Sequence, residues 1–142
     1  MTTFRSERER VVSIVAAVIL DEAGRVLLVR KRGTRAFMLP GGKLAKGESV
    51  TAALSRELRE ELGCDLACAP TALGSYCAPA ANEPGYRVDA EIFAATLIGE
   101  ARACAEIEEL AWHDAKADAP YPLAPLARDH VLPLVRQRRC AA

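Results

Sequence analysis

Three glutamates crowd the short stretch "ELREE", as Glu57, Glu60 and Glu61, and a proline with two glycines, Pro40, Gly41 and Gly42, precedes them in "LPGGKLAKGESV". Carboxylates this close repel one another and resist ionising together, and burying one without a partner costs several kcal/mol. A cation must answer them. Arg56, four residues before Glu60, can pair with one carboxylate. The remainder suit a divalent ion, because clustered carboxylate oxygens without histidine or thiolate beside them favour hard cations such as Mg²⁺ or Mn²⁺. Taken alone, "ELREEL" is also a common pattern on solvated helices, so the elements around it decide its meaning.

Helical spacing begins at about Ser49 and continues through Val50, Leu54, Leu58 and Leu62, with Gly63 where a C-cap is expected. With Val50 at zero and a step of about 100° per residue, Leu54, Leu58 and Leu62 fall near 40°, 80° and 120°, Glu61 near 20°, Glu57 near 340° and Glu60 near 280°. Glu61 therefore points into the apolar stripe and Glu57 borders it. Ahead of this helix, "VVSIVAAVIL" (residues 11–20) reads as a buried strand, "DEAGR" as a turn and Val26 to Arg30 as the returning strand of a hairpin. In "FMLPGG", Pro40 bars further ladder pairing, while Gly41 and Gly42 admit backbone angles closed to other residues. Beyond the helix, "DLACAPTALGSYCAP" and "YRVDAEIFAATLI" have strand composition and flank the loop "AANEPG". "IEELAW" is a further strand, and a last helix from about Leu126 is interrupted by Pro133.

The chain has 142 residues, 51% of them hydrophobic, enough for one domain with a real core over 1–142 and flexible ends at about 1–9 and 137–142. Lysine plus arginine and aspartate plus glutamate each number 19, so no net charge steers the protein toward nucleic acid or an anionic membrane. Anion binding must be local. The ten-residue apolar run follows the charged "FRSERER", which is too short for a membrane span and lacks the layout of a signal peptide, so a cytoplasmic location is expected. Five cysteines (Cys64, Cys68, Cys77, Cys104 and Cys140) form no CxxC pair, and reduced thiols are expected.

Counting from Gly42, five residues reach Glu48, seven more precede Arg56 and Glu57, and Leu58, Arg59, Glu60, Glu61, Leu62, Gly63 and Cys64 follow. This resembles the Nudix box, in which a glycine, a glutamate, Arg-Glu, an apolar residue, Glu-Glu, a glycine and a final apolar residue recur at these intervals. Every fixed position is filled; Cys64 stands where an aliphatic side chain is usual, and a buried cysteine behaves as a small hydrophobe. The resemblance implies the α/β class, an α/β/α sandwich with a mixed β-sheet. It further implies a metal-dependent hydrolase that splits a diphosphate linkage in a nucleoside diphosphate joined to another moiety, a (d)NTP pyrophosphohydrolase among the options. Its partner would be a nucleotide-type small molecule, with neither nucleic acid nor membrane, and the family leaves room for a homodimer.

Carried over by position, the resemblance assigns the Gly41 carbonyl, Glu57, Glu60 and Glu61 to Mg²⁺ or Mn²⁺, and Glu48 with Arg56 to an internal ion pair. Phosphoryl chemistry needs such cations, which neutralise diphosphate oxygens and acidify an attacking water. The catalytic set is Glu57, Glu60 and Glu106. The general base is either a box glutamate or one from a later loop; Glu106 is preferred there, because Glu108 and Glu109 belong to the strand "IEELAW". Phosphate contacts are expected from Arg30, Arg35 and Lys43, with Lys31, Arg32 and Lys46 nearby. Trp112 is expected in core packing. Phe37, Tyr76, Asn82, Tyr86 and Arg87 are base-contact candidates by residue type alone. Two rivals remain: a non-catalytic Nudix-fold ligand sensor or regulator, and an isomerase of the same fold acting on an isoprenyl diphosphate. The latter would show a cysteine motif that neither Cys77 nor Cys104 provides.

Overall fold

A computed structural model describes residues 10–141, with side chains for residues 10–138. The expected flexible N-terminal end, 1–9, lies outside the described residues, as does residue 142; residues 137–141 lie in the last helix. In chain order the elements are β1 (Arg10–Val18), β2 (Val26–Lys31), β3 (Gly41–Lys43), α1 (Val50–Leu62), β4 (Asp65–Leu66), β5 (Thr71–Pro79), β6 (Tyr86–Ala94), β7 (Leu97–Ile98) and β8 (Ile107–His113). A π-helical turn, Ala127–Val131, leads into α2 (Leu132–Ala141).

The apolar run of β1 explains the layering. Val15, Ala17 and Ile19 face one way, onto Leu54, Leu58 and Leu62 of α1. Ala16 and Val18 face the other, onto the cluster that holds Val131, Leu132 and Val135 of the C-terminal helical segment. A strand buried on both faces reads as a continuous apolar run. The sheet is mixed, as expected, in the order β3-β1-β6-β5, with β1 and β6 parallel (Ala16 opposite Ile92) and β1 and β3 antiparallel (Ala16 opposite Gly41). No helix among the described residues is long and apolar enough to cross a membrane.

Three local expectations are corrected. The β1–β2 hairpin survives only as a turn-end bridge between Leu20 and Val26, with the Leu27 N–H donating to the Ile19 carbonyl at 2.9 Å. Beyond it the strands part: β2 pairs with β8, because β3 and β6 occupy both edges of β1 and a strand has only two. Pro133 does not interrupt the last helix. The turn before it widens so that the Leu132 N–H reaches the Ala127 carbonyl, five residues back, and Pro133 follows directly in the continuing helix. Trp112 is not core: it pairs with Leu27 and shares that residue's face, yet it sits on the outer strand of the pair and is 37% exposed.

Candidate functional site

The site is built where β3 passes between β1 and α1. At Gly41 φ is 150°, and a Cβ there would collide with the Val15 carbonyl oxygen and lie 2.7 Å from Ala16 Cα. At Gly42 a Cβ would lie 2.6 Å from Glu57 Oε1. Position 41 therefore requires glycine for backbone to approach backbone this closely, whereas a side chain at position 42 would have to displace the Glu57 carboxylate. The approach brings the Gly41 N–H onto Glu61 Oε1 at 3.1 Å.

Helix α1 presents the acids because its caps set its register. Ser49 Oγ accepts from the Ala52 N–H, and Gly63, at φ 70°, ends the helix with its N–H on the Arg59 carbonyl. Glu61 is 7% exposed, on the stripe with Leu54, Leu58 and Leu62. Burial pushes its carboxyl up to about 7, against the pull of the Gly41 N–H, and the nearby Glu57 pushes it further. Burial also raises the Glu57 carboxyl, against a hydrogen bond from Arg56 Nη1 at 2.8 Å. Glu48 lies at the other extreme. Arg56 Nε and Nη2 donate to it at 2.8 and 2.9 Å and the Ala45 N–H at 2.9 Å, and the guanidinium first, then the amide, holds it near about 2. Arg56 also donates to the Lys43 carbonyl at 3.1 Å and stands 3.8 Å from Glu60.

These groups open onto a cavity of about 580 Å³. One end carries Gly41, Gly42, Glu57, Glu60, Glu61 and Glu106. Lys31, Arg32 and Lys43 also line it. The rest is largely apolar: Val12, Ile14 and Ala16 of β1, Val88 of β6, and Leu126 and Ala127 from the segment leading into α2. Glu106 lies in the turn before β8, outside the strand that carries Glu108 and Glu109.

The donor set fits a hard divalent cation: three carboxylates and a backbone carbonyl at one cavity end, with no histidine or cysteine lining it. Among the described residues no three acidic, histidine or cysteine side chains already stand close enough to cage an ion. Arg56 stands 2.8 Å from Glu57 and 3.8 Å from Glu60.

Of the three cations expected to meet phosphate, only Lys43 lines the cavity, 3.9 Å from Glu83. Arg30 is turned to the β2–β8 ladder, where Nε and Nη2 donate to Glu109 at 3.1 and 2.9 Å and Nη1 to the Thr34 carbonyl at 2.9 Å. Arg35 is exposed and outside the lining, whereas Lys31 and Arg32 are in it. Arg30 and Lys31 face opposite sides of β2 by ordinary strand alternation, and the register shift beside them leaves Glu108 of β8 as the extra residue. Among the base-contact candidates Asn82 alone reaches the cavity. Phe37 is buried against Tyr121 and Tyr76 stacks on His130, while Tyr86 lies under Arg10. The apolar wall was missed at the sequence level, although the alternation of Val12, Ile14 and Ala16 carried its signal. Ala105, the one described non-glycine residue with positive φ, at 53°, left no trace in the sequence.

Residues 10–134 match the NUDIX domain family. The human 8-oxo-dGDP phosphatase NUDT18 is 34% identical over 140 residues, covering 93% of this chain; the chain spans 41% of that protein's length. A MutT NUDIX hydrolase from Burkholderia pseudomallei superposes with a TM-score of 0.71 at 28% identity, over 90% of this chain and 97% of that one. The MutT protein of Methanosarcina mazei Go1 gives a TM-score of 0.73 at 22% identity, over 92% and 96% of the two chains, and speaks for the fold alone.

Proposed function

The chain belongs to the NUDIX domain family, and on that premise we propose that it is a metal-dependent hydrolase of diphosphate linkages in nucleotides. The carrying observation is the buried Glu61, raised to about 7 beside Glu57, at one end of a cavity whose other end is apolar. Such a carboxylate is ionised at little cost only when a cation shares its pocket.

In this reading the Gly41 carbonyl, Glu57, Glu60 and Glu61 hold Mg²⁺ or Mn²⁺. A bound ion would neutralise diphosphate oxygens and acidify a nearby water. Glu106 would take the proton from the attacking water as its oxygen bonds to phosphorus, while the bridging P–O bond breaks and its electron pair leaves with the departing phosphate group. Lys31 and Lys43 face the remaining phosphate oxygens. The aliphatic wall excludes water and holds the nucleoside, with Asn82 at its rim. Glu48 on Arg56 keeps the loop after β3 in register with α1.

Similarity to the human 8-oxo-dGDP phosphatase puts purine nucleotides, oxidised ones included, first in the order of testing. The test is a panel of nucleoside di- and triphosphates, oxidised nucleotides, ADP-ribose, nucleotide sugars and dinucleoside polyphosphates with Mg²⁺ or Mn²⁺, the products separated by chromatography. Release of a nucleoside monophosphate from one class is expected. Silence across the panel from folded protein supplied with metal overturns the reading.

A further inference from the structure

Glu106 is presented by a turn with an unusual grip. Ala105, just before it, holds φ 53°, a conformation that L side chains rarely adopt and that persists only where surroundings enforce it. The enforcing residue is Arg32. Its main-chain N–H donates to the Glu106 carbonyl at 2.8 Å, and its Nη2 donates to the Ala105 carbonyl at 3.1 Å. Two successive carbonyls are thus held from one residue on a different element. The turn closes on itself through the Ile107 N–H, which donates to the Cys104 carbonyl at 2.9 Å. Sheet irregularity makes the grip possible: Arg30 pairs with Glu109 and Lys31 with Ile107, so Glu108 is the extra residue of a bulge. Glu108 then stands 3.4 Å from Arg32 Nε.

We infer that Arg32 is a positioning residue, whose hold on the Ala105–Glu106 backbone aims the Glu106 carboxylate at the cavity. This rests on the assignment of Glu106 as base in the proposed function. Exposed side-chain pairs contribute little to stability, so the exposed guanidinium has an effect to exert chiefly through the turn it holds.

Two measurements on the full chain test it. Amide hydrogen exchange reads the turn without any turnover: Arg32→Ala is expected to speed exchange of the Ile107 amide while the amides of α1 keep their rates. An unchanged Ile107 rate overturns the inference, whatever the substrate proves to be. With a substrate from the panel, Glu106→Gln is expected to lower kcat by about 10²-fold and Arg32→Ala by about tenfold with KM nearly constant. The double variant Arg32→Ala/Glu106→Gln should be no slower than Glu106→Gln alone, because Arg32 has nothing left to aim. Multiplied losses, or a raised KM at constant kcat, would make Arg32 a phosphate contact instead and overturn its positioning role. Glu108→Gln removes only the ion pair and should leave kcat unchanged. Wild-type turnover on the panel judges the proposed activity separately, so failure of that reading and failure of this one are distinguishable.

Discussion

The two ends of the carboxylate row on and before α1 are electrostatic opposites. At one end Glu48 accepts three N–H groups, two from Arg56 and one from Ala45, and is held near about 2. At the other Glu61 accepts a single backbone N–H, is buried among leucines and is raised to about 7. Neither glutamate differs from the other as a side chain; burial raises Glu61, and donors from Arg56 lower Glu48. Arg56 spends its guanidinium on Glu48, Glu57, the Lys43 carbonyl and the fringe of Glu60, and reaches no further. The Glu48 carboxylate is satisfied by Arg56 and Ala45, whereas Glu61 has no cationic side chain bonded to it, and in the proposed reading a bound cation takes that place.

Substitution at the unsatisfied end should break that contrast most severely. Glu61→Gln keeps the Gly41 contact and the helix, and is expected to lower turnover with Mg²⁺ by about 10²-fold or more. Activity within a factor of a few of wild type would remove Glu61 from the metal set. Calorimetry gives the next largest effect. Mg²⁺ or Mn²⁺ in excess should raise the wild-type Tm at pH 8 by linkage and leave Glu61→Gln nearly unmoved; equal shifts in both proteins would place the ion elsewhere.

The pH dependence of the metal-free protein sharpens the comparison, because the two glutamates have opposite signs. Glu61 has a folded value near 7 against an ordinary 4.5, so the folded state binds its proton more tightly. Its contribution is present below about 4.5 and lost as pH rises through about 7. At about 1.4 kcal/mol per pH unit that window is worth on the order of 3 kcal/mol. Glu61→Gln should therefore be the more stable protein at pH 8 without metal, as denaturant melts would read. Glu48 has its folded value lowered from 4.5 to about 2, so its contribution is present above about 4.5 and lost as pH falls through about 2. Glu48→Gln should lower Tm by a few degrees at pH 7, with the gap to wild type closing between about pH 4.5 and 2. A gap constant across that range would mean that the charge of Glu48 is not what Arg56 recognises.

Much of this site is legible in the order of residues alone. The angular position of Glu61 on the leucine stripe anticipates its burial, and the spacing from Gly42 to Cys64 anticipates the family and the sandwich fold. The basic stretch "RKRGTR" is legible only as basic: Arg30 and Lys31 are neighbours, yet one faces Glu109 and the other the cavity. Alternation along a strand puts neighbours on opposite faces but cannot say which face is which.

What the sequence determined by itself is therefore the local part: the helix, its caps, the glycines ahead of it and the order of acids along it. These follow from contacts a few residues apart, where a period of about 3.6 turns spacing into direction. Only the tertiary structure decided that β1 takes β3 and β6 as its neighbours and sends β2 to β8, that the cavity wall joins β1 to the segment leading into α2, and that Arg32 grips a turn more than seventy residues away. Those outcomes depend on which distant segments compete for a strand edge or a donor, and no local period encodes that competition.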